Sequence, residues 1–491
     1  MQNSQDLRLI QDLREHLNKG DEKRVKAQHD AGKLSARRRI ETIADVGSFV
    51  ELYAFLSAQD EGAGVVTGYA TVEQRPVYLF AQDFTVHGGA IGKLQALKIN
   101  KILDMALKTG APVLMLCDSA GVRIDEGAEA MNAYAEIYRS MARLSGVCPM
   151  ISVILGPCVG GAALLAQLSD ISIMAKDVGQ LMMFGPQVLS AMNGIDVSVD
   201  KVGGADMMAA QGGCSLVAAN EDEAIGKALA LLALLPGSNA EDAELLEGDD
   251  LNRLLPAIDP ADTASLLSQV LDAGTMIELM PAYEGGMKTV MGRIAGRSVG
   301  VVATAAQTLS AGALQKAARF VHFMDCFNLP VVSFLNTRGV KVDSLSSQSW
   351  LMNAQSQLLY AYATATVPKL AVVTGEAIGQ AYVSMGGKAT ADVTFAWPGA
   401  VISALTPEAA VAVLYADKVK EDTGSTPEAS REKFAKDFVE TTASAVAAAK
   451  AGLLDDIIDP AETRKLLASA LEMLSSKRDF NPAKKHGNMP M

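Results

Sequence analysis

The chain repeats one sequence pattern at an interval of about 220 residues, and this repeat limits the possible folds more than any other feature. Segment 45–52 reads Asp-Val-Gly-Ser-Phe-Val-Glu-Leu, and segment 272–279 reads Asp-Ala-Gly-Thr-Met-Ile-Glu-Leu. A second block keeps the same residues 219 to 222 positions apart: Pro149, Gly156, Gly160, Ala162 and Asp170 match Pro368, Gly375, Gly379, Ala381 and Asp392. A duplicated domain predicts two related sites, as expected when a group passes between two carriers.

The length of 491 residues exceeds the size at which a single hydrophobic core keeps growing, so two domains are expected. An amphipathic helical arm is predicted for 1–40, because Leu7, Ile10, Leu13 and Leu17 recur at helical spacing. The acidic, proline-bounded segment 236–262 is the best candidate for a linker. The two main domains are therefore predicted at 41–235 and 263–491.

Composition and charge exclude some classes of function and favour one compartment. The net charge of -13 argues against nonspecific nucleic-acid binding, which needs clustered Lys and Arg. The cysteines lie singly in apolar surroundings without a Cys-X-X-Cys pair, so we expect reduced core residues of a cytoplasmic protein: Cys117, Cys148, Cys158, Cys214 and Cys326. The polar start of the chain also lacks the apolar core of a signal peptide.

Segment 146–169 carries no charged residue and is long enough to span a membrane. Its internal Gly156-Pro157 and Gly160-Gly161 pairs favour a buried strand, a turn and a buried helix start instead. The same unit of strand, glycine-bearing turn and helix is predicted at 112–123, 330–339 and 369–381. Strands are also expected at 65–72 and 77–82, and helices at 93–109 and 461–477.

Two of these turns place small residues where a strand gives way to a helix, at 118–123 and 156–162. Glycine lets a ligand approach the backbone there, and the first amide N–H groups of a helix favour negative charge. Two such amides aimed at a thioester carbonyl would stabilise an enolate. For a single turn, tight packing of helix on strand is the favoured explanation, but four turns in duplicated register favour function.

Other signatures fail on inspection. The Gly-Gly-Ala-Ile-Gly-Lys run at 88–93 is one residue short of a phosphate loop, and Cys117 replaces the first glycine of a nucleophile elbow. The histidines show no metal-ligand spacing, so no metal site is predicted, and His87 beside Gly88-Gly89 is the one that merits a test. Asp125, Glu126 and Glu129 read as an acidic helix start that complements the helix dipole.

Several segments together resemble one known family. They include Gln-Asp-Phe-Thr-Val-His-Gly-Gly at 82–89 and the stretches 32–37, 118–127, 156–162, 316–321, 359–363, 395–398 and 485–491. This pattern resembles the carboxyltransferase subunits of biotin-dependent acyl-CoA carboxylases and decarboxylases, of the propionyl-CoA carboxylase beta and methylmalonyl-CoA decarboxylase alpha type. The resemblance covers essentially the whole chain, and it implies an α/β fold of two tandem crotonase-like ββα superhelical domains.

The resemblance also implies the site residues. Gly160 and Gly161 match the pair whose amides form the oxyanion hole for the acyl thioester, and Gly379, Gln380 and Ala381 match the segment that stabilises the biotin ureido enolate. The acyl-CoA would bind the N-terminal domain of one protomer and biotin the C-terminal domain of its partner. We assign further substrate-binding roles to His87, Gly88, Gly89, Ser119, Ala120, Gly121, Arg123 and Gly339.

The implied cofactor is biotin on a separate carrier, because Met287-Lys288 is a poor biotinylation signature. The implied partners are acyl-CoA, a biotin carboxyl carrier protein, a biotin carboxylase or membrane decarboxylase subunit, and further copies of the chain in a dimer, hexamer or dimer of dimers. The acyl chain would be short, with propionyl/methylmalonyl-CoA or acetyl/malonyl-CoA as the pairs.

The second half departs from the family pattern. Segment 337–342 reads Thr-Arg-Gly-Val-Lys-Val where Pro-Gly-Phe-Leu-Pro-Gly is usual, Gly375-Glu376 replaces Arg-Lys, and Gln380 replaces a glycine. Two rival readings therefore stay open. One is a biotin-independent hydratase or isomerase of the crotonase type, with Glu126 or Glu129 as its carboxylate. The other is a noncatalytic scaffold subunit, which would bind acyl-CoA but not biotin.

Overall fold

The computed structural model describes residues 2–58, 61–194, 196–341, 347–422 and 424–490. The described residues form two compact units, of which the first runs to Asp242 and the second begins at Ala243. In each unit, helices pack against one eight-stranded sheet. The α/β fold with two tandem units, expected from the sequence, is confirmed.

The first unit contains a long mixed sheet. Its strands are β1 (Val50–Glu51), β2 (Ser57–Ala58), β3 (Glu61–Gly62), β4 (Val65–Val72), β5 (Arg75–Gln82), β6 (Val113–Ser119), β7 (Met150–Val159), β8 (Ile171–Ala175), β9 (Gln180–Met182) and β10 (Leu216–Ala218). The sheet order is β1-β4-β5-β6-β7-β8-β10, with β9 beside β7 and β2 paired with β3 outside the sheet. Strands β5 to β8 run parallel, so their carboxyl ends share one edge.

Helices cover this sheet and complete its core. They are α1 (Gln2–Lys19), α2 (Glu22–Asp30), α3 (Ala36–Ile43), α4 (Lys93–Thr109), α5 (Ala128–Leu144), α6 (Gly161–Leu168), α7 (Pro186–Asn193), α8 (Val199–Gly203), α9 (Ala205–Ala210) and α10 (Glu221–Leu234), with 3-10 turns His87–Gly89 and Ile124–Glu126. Ile99 and Ile102 of α4 and Ile137 of α5 are fully buried in one cluster with Val113 and Met115 of β6.

The second unit repeats this plan. Its strands are β11 (Ile277–Leu279), β12 (Met287–Ile294), β13 (Arg297–Thr304), β14 (Val331–Thr337), β15 (Lys369–Ile378), β16 (Val393–Ala396), β17 (Val401–Ser403) and β18 (Asp456–Ile457). The sheet order is β11-β12-β13-β14-β15-β16-β18, with β17 beside β15, which is the order of the first unit strand for strand. The duplication seen in the sequence is therefore a duplication of topology.

The helices of the second unit also follow the first. They are α11 (Thr263–Val270), α12 (Ala311–Cys326), α13 (Gln348–Thr364), α14 (Gln380–Met385), α15 (Pro407–Leu414), α16 (Ala416–Glu421), α17 (Pro427–Phe438), α18 (Ala445–Lys450) and α19 (Thr463–Met473). A π-helical turn spans Val439–Ala443, and 3-10 turns span Pro460–Glu462 and Leu474–Ser476. The helical tail predicted at 461–477 is thus confirmed.

The repeated aspartate that opens each sequence block has a structural cause. The Asp45 carboxylate accepts hydrogen bonds from the Glu73 and Gln74 N–H groups at 3.0 and 2.9 Å, in the tight turn between β4 and β5. Asp272 does the same for Ala295 and Gly296, between β12 and β13. Glu73 and Gln74 both have positive φ, as in a type I′ turn, so the connection between the strands predicted at 65–72 and 77–82 has only two residues.

Three other expectations are refined. The arm predicted as one stretch to residue 40 consists of α1, α2 and α3, broken at Gly20 and Gly32, both with positive φ. Segment 146–169 forms β7 and α6, as predicted. No helix within the described residues is long and apolar enough to cross a membrane. The expectation of five core cysteines is wrong at one position, because Cys326 is exposed while the other four are buried.

The acidic segment 236–262 packs on the units instead of hanging free. Asn239 N–H donates to the Val147 carbonyl at 2.8 Å within the first unit. Beyond residue 242, Arg293 donates to the Glu244 carbonyl at 2.8 Å, and Leu255 is buried in the core of the second unit. The segment is therefore held by backbone hydrogen bonds and one buried leucine, while four of its five leucines are exposed.

Candidate active site

Three turns of the first unit lie at the shared edge where β5, β6 and β7 end. The first turn is the 3-10 helix His87–Gly89, the second is 119–121, and the third is 160–161. Ser119 pairs with Cys158 in the strand register, which places the second turn beside the third. The Ala120 N–H donates to the Gly88 carbonyl at 2.9 Å, which joins the second turn to the first. The sequence predicted the second and third turns separately, and the fold brings them together with the first.

Glycine is required in the first two turns by space and by conformation. A side chain at Gly89 would place its Cβ 2.2 Å from the Asp118 carbonyl oxygen. Gly121 has a φ of 114°, and a Cβ there would lie 3.2 Å from the Val159 carbonyl oxygen. Its N–H donates to the Ser119 hydroxyl at 3.2 Å. The Ile91 N–H then donates to the Gly121 carbonyl at 2.7 Å. The two turns therefore form one backbone-lined surface that a ligand can approach closely.

The third turn presents the start of α6. Gly160 has φ 62° and ψ -125°, a backbone conformation that is strained for any residue with a side chain. Its N–H donates to the Met182 carbonyl at 2.9 Å. Gly161 is the first residue of the helix, so its N–H has no intrahelical acceptor. This amide, with the positive end of the helix dipole behind it, is suited to a developing oxyanion.

Two tyrosines of α5 fix the position of Gly161. A Cβ at Gly161 would lie 2.7 Å from the Tyr134 ring and 2.8 Å from the Tyr138 hydroxyl, which leaves room for glycine alone. Tyr138 donates its hydroxyl to the Gly161 carbonyl at 2.9 Å, and its ring stacks on that of Tyr134. Burial raises the pKa of Tyr138, so the hydroxyl remains a donor. Sequence reasoning missed this pair, because neither tyrosine is near 161 in the chain.

The second unit builds the same edge from different side chains. Thr337 takes the place of Ser119, and its hydroxyl accepts from the Gly339 N–H at 3.4 Å. Gly379 has φ 63° and ψ -133°, its N–H donates to the Ser403 carbonyl at 2.8 Å, and α14 begins at Gln380. Ala381 is fully buried beneath this turn. The predicted biotin-side residues thus form a turn whose backbone matches the third turn of the first unit.

The departures from the family pattern lie around this second edge. The Gln380 side chain is exposed. Gln355 Nε2 donates to the Gln380 carbonyl at 3.4 Å, as the Tyr138 hydroxyl donates to the Gly161 carbonyl in the first unit. Arg338 lies 3.5 Å from Glu376 and 2.5 Å from Glu408. A cavity of about 110 Å³ next to them is lined by Thr304, Gln307, Asn336, Arg338 and Glu376, among others. Val342, the last residue of the altered segment, lies outside the described residues.

Two predicted acidic residues serve other groups. The prediction that Asp125, Glu126 and Glu129 complement the dipole of one helix is wrong for Glu126, and Asp125 lies in the 3-10 turn before α5. Arg123 donates two hydrogen bonds to Asp125 and lowers its pKa to about 2. Glu126 accepts from the Lys93 N–H at 2.7 Å and so caps α4, a different helix. Glu129 lies in the first turn of α5, as expected.

A buried ionic cluster behind the second turn had no signal in sequence spacing. Asp118 accepts from Lys33 at 2.7 Å and from Arg39 at 2.9 Å, and Arg39 also donates to Glu221 at 2.6 Å. Each of these side chains is at least nine-tenths buried. Burial raises the pKa of Asp118, and the charges of Arg39 and Lys33 oppose that shift. The cluster anchors segment 32–39 to the residue that precedes the second turn.

A cavity of about 540 Å³ opens at the same edge of the first unit. It is lined by Asp83, Thr85 and Val86, which lead into the first turn, and by residues of α1, α2 and α3. Lys98 lines it as well, 3.6 Å from Glu51, and burial lowers the pKa of this lysine. The volume is in the range of small-molecule clefts.

Burial also lowers the pKa of Lys316 in α12 to about 8, from an ordinary 10.5. Between these values the unfolded chain holds a proton that the folded chain has released, so the stability contributed by Lys316 rises with pH. We expect the unfolding free energy of wild type, minus that of Lys316→Met, to increase from about pH 8 to about pH 10. Urea unfolding at each pH measures this free-energy difference, and Lys108→Met, which replaces an exposed lysine, is the control. A flat difference would contradict the lowered pKa.

The comparisons with known proteins agree with this architecture. The carboxyl transferase domain family matches residues 27–489. The chain is 38% identical to the propionyl-CoA carboxylase carboxyltransferase subunit of Haloferax mediterranei, over 98% of this chain and 99% of that protein. It is also 38% identical to methylmalonyl-CoA decarboxylase subunit alpha of Veillonella parvula, over 96% of each. The chain therefore belongs to the carboxyl transferase family.

A solved structure gives the same answer for the fold. The transcarboxylase 12S crystal structure, a hexamer with methylmalonyl-coenzyme A and methylmalonic acid bound, has a TM-score of 0.94 to this chain at 36% identity, covering 99% of this chain and 98% of that one. The tandem crotonase-like fold is consistent with this match. The chain is an enzyme, a biotin-dependent carboxyltransferase acting on acyl-CoA, and neither rival reading is favoured.

Proposed function

We propose that this enzyme moves a carboxyl group between carrier-bound biotin and the α-carbon of a short-chain acyl-CoA, of the propionyl/methylmalonyl or acetyl/malonyl type. The observation that supports it best is the pair of matching glycine turns, Gly160-Gly161 and Gly379-Gln380, each at the start of a helix with positive φ at the first glycine. One turn would serve the thioester and the other the biotin.

On the acyl-CoA side, the Gly161 N–H would donate to the thioester oxygen. Loss of the α-proton or of the α-carboxyl group leaves an electron pair that spreads onto this oxygen, and a fixed amide stabilises the negative charge there without reorganisation. The backbone surface of His87, Gly88, Gly89, Ser119, Ala120 and Gly121 would position the acyl group, with Arg123 at its rim. No side chain acts as a nucleophile in this scheme, and the same enolate serves both directions of transfer.

On the biotin side, the residues present fit a polar, uncharged ring. Gln380 begins α14, so its N–H lacks an intrahelical acceptor and would donate to the ureido oxygen together with the Ala381 amide. Gly339 would line the approach. Biotin supplies or accepts the carboxyl group when it is bound. The exposed side chain of Gln380 leaves this backbone donor in place, which is why the exchange of glycine for glutamine is compatible with the function.

A separate carrier protein would deliver the biotin. The one Met-Lys pair of the sequence, Met287-Lys288, lies in β12, a strand paired on both sides. Lys288 also forms an ion pair with Glu278 at 3.0 Å, so its ammonium is held against the sheet. The relatives named above work in carboxylase or decarboxylase systems, and one forms a hexamer. We propose a homo-oligomer here, with each site completed by a partner copy.

Labelled carboxyl exchange tests the proposal. Purified chain is incubated with ¹⁴C-methylmalonyl-CoA or ¹⁴C-malonyl-CoA and a biotinylated carrier domain, and label on the carrier is counted. We expect transfer of label with one or both substrates, and no transfer to carrier that lacks biotin. Acyl-CoA binding without any transfer would overturn the proposal and support the scaffold reading. Turnover of an enoyl-CoA in the absence of carrier would instead support the hydratase reading.

A further inference from the structure

Two buried glutamines connect the first and second turns of the first unit. Gln82 ends β5, Gln95 lies in the first turn of α4, and the side chain of each is 1% exposed. We propose that Gln82 and Gln95 are positioning residues of the acyl-CoA site: they set the separation of the two turns without touching substrate. The inference rests on the proposed function for its kinetic consequence, but its structural part can be tested alone.

The connection is a continuous series of hydrogen bonds. The Asp118 N–H, one residue before the second turn, donates to Gln82 Oε1 at 3.1 Å. Gln82 Nε2 donates to Gln95 Oε1 at 2.9 Å. Gln95 Nε2 then donates to the Gly89 carbonyl of the first turn at 3.2 Å and to the Gly64 carbonyl at 3.1 Å. The series thus runs from one turn to the other through two side-chain amides.

Each amide has one permissible orientation. Gln82 must present its oxygen to the Asp118 N–H, so its nitrogen faces Gln95, and Gln95 must then present its nitrogen to the carbonyls. If either amide were flipped, two donors or two acceptors would face each other in the protein interior. Leaving these buried groups without a hydrogen bond would reduce stability. At one end, the series begins at Asp118, which Lys33 and Arg39 hold rigidly. The network is therefore a spacer of defined length and polarity.

The second unit lacks this spacer, which makes it an internal comparison. There the Asn336 N–H donates to the Thr304 hydroxyl at 2.7 Å, in the place of Asp118 and Gln82. The third residue of α12 is Ala313, where the third residue of α4 is Gln95. The Thr304 and Ala313 side chains are too short to bond to each other as Gln82 and Gln95 do. Thr304 and Asn336 line the 110 Å³ cavity instead. In the second unit the Thr337 hydroxyl instead donates directly to the Gln307 carbonyl at 3.0 Å. Among the described residues, the two-glutamine series is thus a feature of the first unit.

Hydrogen exchange on the full-length protein tests the structural part. Gln95→Met keeps the length of the side chain and removes its hydrogen bonds. We expect faster amide exchange in peptides that cover 83–92 and 118–124, while peptides of the second unit keep the wild-type rate. The matched control is Gln357→Met, a half-buried glutamine of α13 that bonds to the Pro490 carbonyl. Unchanged exchange at both turns in Gln95→Met would overturn the proposal.

Kinetics separates positioning from general stability. In Gln95→Met we expect kcat of carboxyl exchange to fall on the order of 10²-fold, with the KM for the biotin carrier unchanged. If the single variant folds poorly, the same measurements are made on the Gln82→Met/Gln95→Met double variant. It removes both facing amides, so neither is left as a buried group without a partner. Faster hydrogen exchange with an unchanged kcat would mean a merely structural role and would also overturn the proposal. An inactive wild type would overturn the proposed function, and hydrogen exchange would still decide the spacer.

Discussion

Gly161→Pro is expected to lower the rate of carboxyl exchange by about 10² to 10³-fold relative to Gly161→Ala. Both variants carry a Cβ that meets Tyr134 and Tyr138, so both share that clash. Only proline removes the N–H, and the first position of a helix is where proline is best tolerated. The ratio of the two rates therefore isolates the amide donor from the crowding around it.

The measurement is labelled exchange between methylmalonyl-CoA or malonyl-CoA and biotin, made on variants whose unfolding midpoints match. Gln380→Pro against Gln380→Ala is the parallel pair in the second unit, where it should impair transfer to biotin while acyl-CoA binding persists. Equal rates for Gly161→Pro and Gly161→Ala would place the thioester oxygen somewhere other than the third turn.

Asp118→Asn is expected to destabilise the first unit by roughly 3 to 5 kcal/mol. The substitution leaves the Lys33 ammonium and the Arg39 guanidinium buried with Glu221 as the remaining carboxylate of the cluster. Two buried cations then share one anion, and the desolvation of the second is no longer compensated. Urea unfolding followed by a probe in the first unit gives the change.

The same exchange of Asp for Asn at position 104 is the matched control. Asp104 forms a surface ion pair with Lys108 at 2.6 Å, and its replacement should leave the unfolding curve in place. Adding Lys33→Met to Asp118→Asn should recover part of the loss, because the excess buried charge is removed. A double variant that loses as much as the sum of the two singles would show that Lys33 and Asp118 do not interact.

Local patterns explain how much of this structure could be predicted. The strands, the glycine turns and the duplication all follow from residues close in sequence, such as the paired glycines at 160 and 379. The ionic cluster could not be found this way, because Lys33 and Asp118 are 85 residues apart and Arg39 and Glu221 are 182 apart. Glu126 was assigned to the wrong helix for the same reason. A helix-start pattern shows which residues are acidic, but not which N–H group each one reaches.

The candidate site likewise contains features that local sequence predicts and features that depend on tertiary contacts. The turns that expose backbone amides were predicted from glycine placement and from the family resemblance. The side chains that hold those turns, namely Tyr138 behind Gly161 and the Gln82–Gln95 pair, come from other elements and depend on tertiary contacts. Their roles therefore required the fold.

The matching backbone conformations of Gly160 and Gly379 have a consequence for how the gene tolerates change. At both positions a φ near +60° with a strongly negative ψ disfavours every residue but glycine, whereas their neighbours Gly161 and Gln380 have already diverged. A saturation-mutagenesis map should therefore contain, among its minima of tolerance, a matched pair 219 codons apart. Such paired minima would reveal the ancient duplication even in descendants whose two halves no longer share recognisable sequence.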